Sequence, residues 1–271
     1  MTREPARAMA WPRMQIVVVA ALLALAALAW AYVIWLANEM SAPAAMANMP
    51  GMAMSGVAMV APALGRWTLT HFLFIFTMWA VMMVGMMTPT VTPTVLIYAR
   101  VTPQTPSLGW RLAPAAWFAA GYLMAWTLFS VFAAMAQWGL ESLALLTPMM
   151  ASASHRFGGL VLVAAGAYQW LPFKDACLSQ CRTPLAFIQR HGGFQASAAG
   201  ALRLGLLHGA FCVGCCWALM AVLFVVGVMN LLWIAALMIV ALLEKAAPGG
   251  RYLARLAGVA ALVAGLWMLG V

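Results

Sequence analysis

The stretch Leu204-Gly-Leu-Leu-His208-Gly-Ala-Phe-Cys212-Val-Gly-Cys215-Cys216-Trp217-Ala-Leu-Met220-Ala-Val-Leu-Phe-Val-Val-Gly-Val228 carries no charged side chain from end to end. A helix needs about 20 apolar residues to cross the hydrocarbon core of a bilayer, and this run suffices. The rest of the chain agrees. Of its 271 residues 66% are hydrophobic and only 7% charged, with a mean hydropathy of +0.98, whereas soluble domains carry roughly 25% charged residues. The apolar runs are continuous and do not alternate, which excludes a β-barrel. The expected fold is all-α, a polytopic transmembrane helix bundle.

Seven apolar stretches are candidate spans: Met14 to Ala37, Thr70 to Val91, Ala113 to Gln137, Phe157 to Leu171, Leu204 to Val228, Leu231 to Leu243 and Leu253 to Val271. The fourth and sixth are short. Lys and Arg in short loops stay on the cytoplasmic side. A cytoplasmic N-terminus puts Arg3, Arg7, Arg13, Arg100, Arg111, Lys174, Arg182, Arg190, Arg203, Lys245, Arg251 and Arg255 inside and leaves Arg66 and Arg156 outside. The formal charge of +9 is thus a topology signal. It is dispersed over loops, which argues against nucleic acid as a partner. The organisation expected is a basic tail with a first anchor over 1–37, a Met-rich periplasmic loop over 38–69, and a six-helix membrane domain over 70–271. Ser41-Ala-Pro-Ala-Ala45 resembles a signal-peptide cleavage region. The apolar stretch before it outruns the 7 to 15 residues of a secretory h-region, so it reads as a retained anchor.

Soft ligands concentrate in four places. On a helix advancing about 100° per residue, His208, Cys212 and Cys215 fall within roughly 60° of one another, with Cys216 beside them. Thiolate and imidazole suit Cu(I), zinc or iron–sulfur chemistry, and not magnesium or calcium. Cys177 and Cys181 share a second helical face through their i,i+4 spacing. Five thiols, none in a predicted outer segment, argue for reduced ligands near the cytoplasmic face and against a disulfide framework. The alternatives are a redox thiol pair and plain packing, since buried Cys behaves as a small hydrophobe.

Methionine supplies the rest of the soft donors, 22 residues in all. Met40, Met46, Met49, Met52, Met54 and Met59 fall in or beside the expected outer loop, where thioethers select Cu(I) without needing deprotonation. In the second span Met78, Met82 and Met86 project within about 80° of His71 on the helical wheel, along about 22 Å of helix. This ladder reads either as a relay for Cu(I) or as ordinary Met core filling. Pro89 and Pro93 are expected to end or bend that helix.

Other polar residues are few. Glu244 and Lys245 read as an interfacial pair, Asn230 as a turn, and His155 with Arg156 as outer surface. Nothing has the pattern of a Ser-His-Asp triad, a paired-carboxylate site, a P-loop or a dinucleotide fingerprint, so no enzyme is expected. Trp79-Ala-Val-Met82 and Trp217-Ala-Leu-Met220 echo each other. If spans two to four and five to seven are inverted repeats, the architecture is one common in secondary transporters.

Residues 65 to 250 resemble a bacterial family of metal-binding integral membrane proteins described only as a domain of unknown function. The resemblance lies in Trp79-x-x-Met82-Met83-x-x-Met86-Met87-x-Pro89 running into Tyr98-Ala-Arg100, in Cys177-x-x-x-Cys181-Arg182, and in His208-x-x-x-Cys212-x-x-Cys215-Cys216-Trp217-Ala-Leu-Met220 with Gly227-Val-Met-Asn230 and Glu244-Lys245 after it. It implies a multi-pass protein of the bacterial inner membrane that binds a metal.

The expectation is therefore a copper-handling membrane protein with Cu(I) as cargo and zinc as the second candidate metal. Its partners would be the lipid bilayer, the metal ion, and a metallochaperone or a larger membrane complex. The alternatives are a non-transporting accessory or assembly subunit, whose cluster is structural, and a membrane thiol redox protein.

Overall fold

A computed structural model describes residues 4–47, 68–101, 108–147 and 150–270. Among these the regular structure is helical, apart from one isolated antiparallel bridge between Leu146 and Ser152. The helices are α1 (Glu4–Ala47), α2 (Leu69–Val101), α3 (Leu108–Ser142), α4 (His155–Tyr168), α5 (Pro172–Arg182), α6 (Pro184–Arg190), α7 (Ala198–Ala221), α8 (Leu223–Val226), α9 (Leu231–Ala246) and α10 (Gly250–Gly270). Five segments are long and apolar enough to cross a membrane: Gln15–Met40, Leu69–Arg100, Leu112–Ser142, Ala198–Val226 and Gly250–Gly270. The remaining two expected spans are helical but short. Helix α4 has 14 residues and α9 has 16, about 21 and 24 Å of rise, against a hydrocarbon core of about 30 Å.

Two boundaries differ from expectation. Helix α1 continues to Ala47, past the expected end at Ala37, so Met40 and Met46 lie on helix. Four of the seven residues from Ser41 to Ala47 are Ala, the best helix former, and they carry the helix on past Pro43. Met49, Met52, Met54 and Met59 lie outside the described residues. Helix α2 does not end at its prolines and runs on to Val101. Hydroxyls supply extra bonds in the two turns where the prolines remove N–H donors. Thr88 Oγ1 donates to the Val84 carbonyl at 2.6 Å, Thr90 Oγ1 to Met87 at 2.9 Å, and Thr92 Oγ1 to Thr88 at 3.0 Å. Such side-chain bonds are how membrane helices tolerate proline.

Glycines bring two helix pairs into backbone contact. A Cβ on Gly205 would stand 1.9 Å from the Phe118 carbonyl oxygen, one on Gly121 2.1 Å from that of Leu202, and one on Gly209 2.5 Å from the Ala125 Cβ. The step from Phe118 beside Gly205 to Tyr122 and Ala125 beside Gly209 makes α3 and α7 parallel. In α4 and α10, Gly159 meets Gly265 and Gly166 meets Gly258, and their hypothetical Cβ atoms fall within 3.0 Å of the opposing carbonyls. That order makes the second pair antiparallel. Small residues at such crossings let membrane helices pack by van der Waals contact, which replaces the hydrophobic force that lipid removes.

Helix α2 sits centrally, touching α1, α3, α6 and α9, and its direction is opposite to that of α7. Near its start Trp79 stacks on Phe224 at 5.3 Å and donates to Gln137 Oε1 at 2.8 Å. Near its end Tyr98 packs on Phe118 and hydrogen-bonds Gln195, just ahead of α7. One end of the bundle thus gathers the α2 C-terminus and the α7 N-terminus. The other gathers the α2 N-terminus with the C-terminal parts of α3 and α7. Leu28, Leu160, Leu232, Leu256, Val263 and Trp267 are among the large apolar side chains exposed on the outside, as expected of lipid-facing surface.

Candidate metal centre

Helix α7 presents its thiols inward. Cys212, Cys215 and Cys216 are 1%, 1% and 0% exposed. Cys215 and Cys216 lie Sγ to Sγ at 3.4 Å, and Cys215 donates to the Cys212 carbonyl at 3.2 Å. Cys181, from α5, lies near enough to Cys212 and Cys215 to interact with both. Cys177 lies one turn earlier, against the α7 backbone, where a Cβ on Gly214 would be 2.9 Å from its Sγ. Both α5 cysteines therefore meet the long helix, and only Cys181 joins its thiols. All five are free.

His208 lies one turn before Cys212 in a cage of rings. Its centroid is 5.7 Å from Phe118, 5.9 Å from Tyr122 and 4.8 Å from Phe187. Its Nδ1 is buried and has no hydrogen-bond partner, a costly state for a polar atom.

Around Cys212 stand Tyr122 and Thr90, which the sequence did not single out, and Lys245, which it read only as half of an interfacial pair. Tyr122 OH, from α3, is 2.9 Å from Cys212 Sγ, 3.0 Å from Thr90 Oγ1 and 3.4 Å from the Met87 carbonyl. Lys245 Nζ, from α9, donates to Cys212 Sγ at 2.9 Å and to Thr90 Oγ1 at 3.3 Å. The expected Glu244–Lys245 pair does not form. Glu244 instead binds Lys174 at 2.7 Å, with both side chains fully buried, because neighbours on a helix point about 100° apart. Lys174 was read as a loop charge, and α5 folds back to bury it.

Helix α2 passes beside this cluster, through Thr90 and the Met87 carbonyl. Met78, Met82, Met83, Met86 and Met87 are all buried, so the helix is enclosed on more than the single face that a ladder needs. The Met87 main-chain carbonyl, one residue beyond the expected ladder of Met78, Met82 and Met86, accepts from the Tyr122 hydroxyl that touches Cys212. His71, at the other end, is half-buried, with its N–H on Thr68 Oγ1 at 3.2 Å.

The donors are soft and suit Cu(I). As they stand the thiols touch one another. Two sulfurs sharing an ion at about 2.3 Å each are about 3.8 Å or more apart, so Cys215 and Cys216 would spread by a few tenths of an ångström to share one. Among the described residues no group of three or more His, Cys, Asp and Glu side chains is already disposed around an ion-sized position.

The profile of a family described as copper chaperones, PpoB2, matches residues 76–268. The chain belongs to this copper chaperone family. The matched region takes in Met78 to Met87, both α5 cysteines, the α7 cluster and Lys245, and it leaves out His71 and the Met-rich segment after α1. Copper association and helices long and apolar enough for a membrane now stand together. No curated protein matches the chain, and no solved structure does either.

Proposed function

We propose that this copper chaperone works within the bilayer, taking Cu(I) along the buried α2 methionines to thiolates of Cys212, Cys215, Cys216 and Cys181, with His208 as an additional donor. The observation that carries this reading is the approach of α2 to the thiol cluster: the Met87 main-chain carbonyl and Thr90 Oγ1 share the Tyr122 hydroxyl that touches Cys212, on the helix that buries the methionines. The unpartnered His208 Nδ1 in the same layer supports it. Thioether donors first and thiolates last give an order of rising affinity, which favours uptake and delivery over export. The protein passes the ion on without chemical conversion, to a metallochaperone or to a larger membrane complex.

The proposed topology is seven crossings with the N-terminus in the cytoplasm of a bacterial inner membrane. The parallel contact of α3 and α7 supports it, since the intervening chain must then return from one end of the bundle to the other. The same holds for α9, which lies between the end of α8 and the start of α10.

The test is a Cu(I) titration of detergent-purified protein against a competing chelator. Wild type is expected to hold about one thiol-dependent Cu(I) per chain, and Cys212→Ser combined with Cys215→Ser to lose it. Unchanged stoichiometry in that variant would remove the thiol site from the reading.

A further inference from the structure

We propose that Lys245 is a specificity-determining residue that favours a monovalent over a divalent ion at the thiol cluster. The inference rests on the reading of these thiols as the Cu(I) site. Two lysines are buried close to it, and they differ in what neutralises them. Lys174 is paired with Glu244 at 2.7 Å. Lys245, only 9% exposed, points at Cys212 Sγ and Thr90 Oγ1. Among the described residues the ion pairs are Lys174–Glu244 and Arg255–Asp175, so no carboxylate closes on Lys245. Its counter-charge is the sulfur itself.

The consequence follows from charge alone. An ion bound by Cys212 shares that sulfur with a fixed ammonium, and the repulsion between them scales with the charge of the ion. A divalent ion suffers it twice over. With Cys212 and one further thiol ionised and the other two bound or held as neutral thiols, two thiolates, one ammonium and one Cu(I) sum to zero, whereas Zn(II) in the same place leaves a net positive charge in a buried setting, where unpaired charge is expensive. The Lys174–Glu244 pair is neutral as a unit and leaves this balance unchanged. Cys212 also gives one face to Lys245, which works against the four-coordinate thiolate shell that zinc prefers.

The experiment compares the detergent-purified full chain with Lys245→Met, Lys245→Arg and the Cys212→Ser/Cys215→Ser double variant. Helix content by circular dichroism confirms folding in each. Cu(I) affinity is read by chelator competition, Zn(II) affinity likewise, and Co(II) by its thiolate-to-metal charge-transfer absorption. Lys245→Met is expected to shift the Zn(II)-to-Cu(I) affinity ratio toward zinc by at least about tenfold, with a matching gain of the cobalt band. Lys245→Arg, which keeps the charge, should stay near wild type. A ratio unchanged in Lys245→Met, with Cu(I) binding still thiol-dependent, overturns the role of Lys245 and spares the site. Cu(I) binding that survives in the double Cys variant overturns the site, and this inference with it.

Discussion

Glu244 carries more of the fold than its place at the end of an apolar helix suggests. Its carboxylate holds the buried Lys174, which also donates to Gln169 Oε1. Its backbone carbonyl takes Arg182 at 2.8 Å, and Arg182 also bonds the Pro248 carbonyl at 2.9 Å. Removing one member of a buried pair strands the other, at about 3–5 kcal/mol, whereas replacing both with apolar residues of similar size is often neutral. Glu244→Ala is therefore expected to lower the thermal unfolding midpoint in detergent sharply, and Lys174→Met with Glu244→Met to recover most of the loss. Equal destabilisation by both would mean that the pair matters for shape and not for charge. Sequence adjacency hid this pairing, because Glu244 and Lys245 suggested each other. His208, Cys212 and Cys215 were legible from helical periodicity, since three soft ligands in an uncharged span have few other readings. Tyr122 and Thr90 were not, because hydroxyl side chains are ordinary in membrane helices and only the approach of α3 and α2 gives them a role.

At the scale of helices, the close pairing of α3 and α7 positions the site, since it sets Tyr122 beside Cys212. Gly205 and Gly209 have the small-xxx-small spacing of a membrane helix contact, a signal present in the sequence beside the more conspicuous cysteines. Gly205→Leu is expected to force the two helices apart, because even its Cβ would collide with the Phe118 carbonyl. A control lies on α3 at Gly139, where a Cβ meets nothing within 4 Å. Gly139→Ala should leave the melting midpoint and the size-exclusion profile unchanged, while Gly205→Leu should broaden or abolish both. A well-behaved Gly205→Leu protein would show that the contact is dispensable. The apolar runs located the helices well and their ends poorly. Helix α1 outran its apolar stretch on alanines, and α2 passed its prolines with the help of threonine hydroxyls, neither of which hydropathy measures.

For the whole molecule, the proposed orientation puts His155, at the exposed start of α4, outside and Tyr252, exposed on α10, inside. Four of the five native cysteines are buried and Cys181 is partly exposed, so the labelling of the parent protein supplies the background against which an introduced thiol is read. In intact cells His155→Cys is expected to react with a membrane-impermeant maleimide, and Tyr252→Cys only after permeabilisation. The reverse pattern would invert the bundle. The distribution of basic residues is what suggests this orientation, and the shortness of the fourth and sixth stretches was visible in the sequence, whereas the packing of α4 on α10 and of α9 on α2 and α10 was not.

The burial of the α7 thiols also sets a clock. Water-borne chelators, oxidants and competing ions reach Cys212, Cys215 and Cys216 only when the helices around them open, and motions of that kind run from microseconds to seconds. Release from such a place follows the breathing of the bundle and not diffusion in solution. A carrier built this way can be leak-proof without binding its cargo very tightly, and a docking partner that loosens α7 would decide when the hand-over happens.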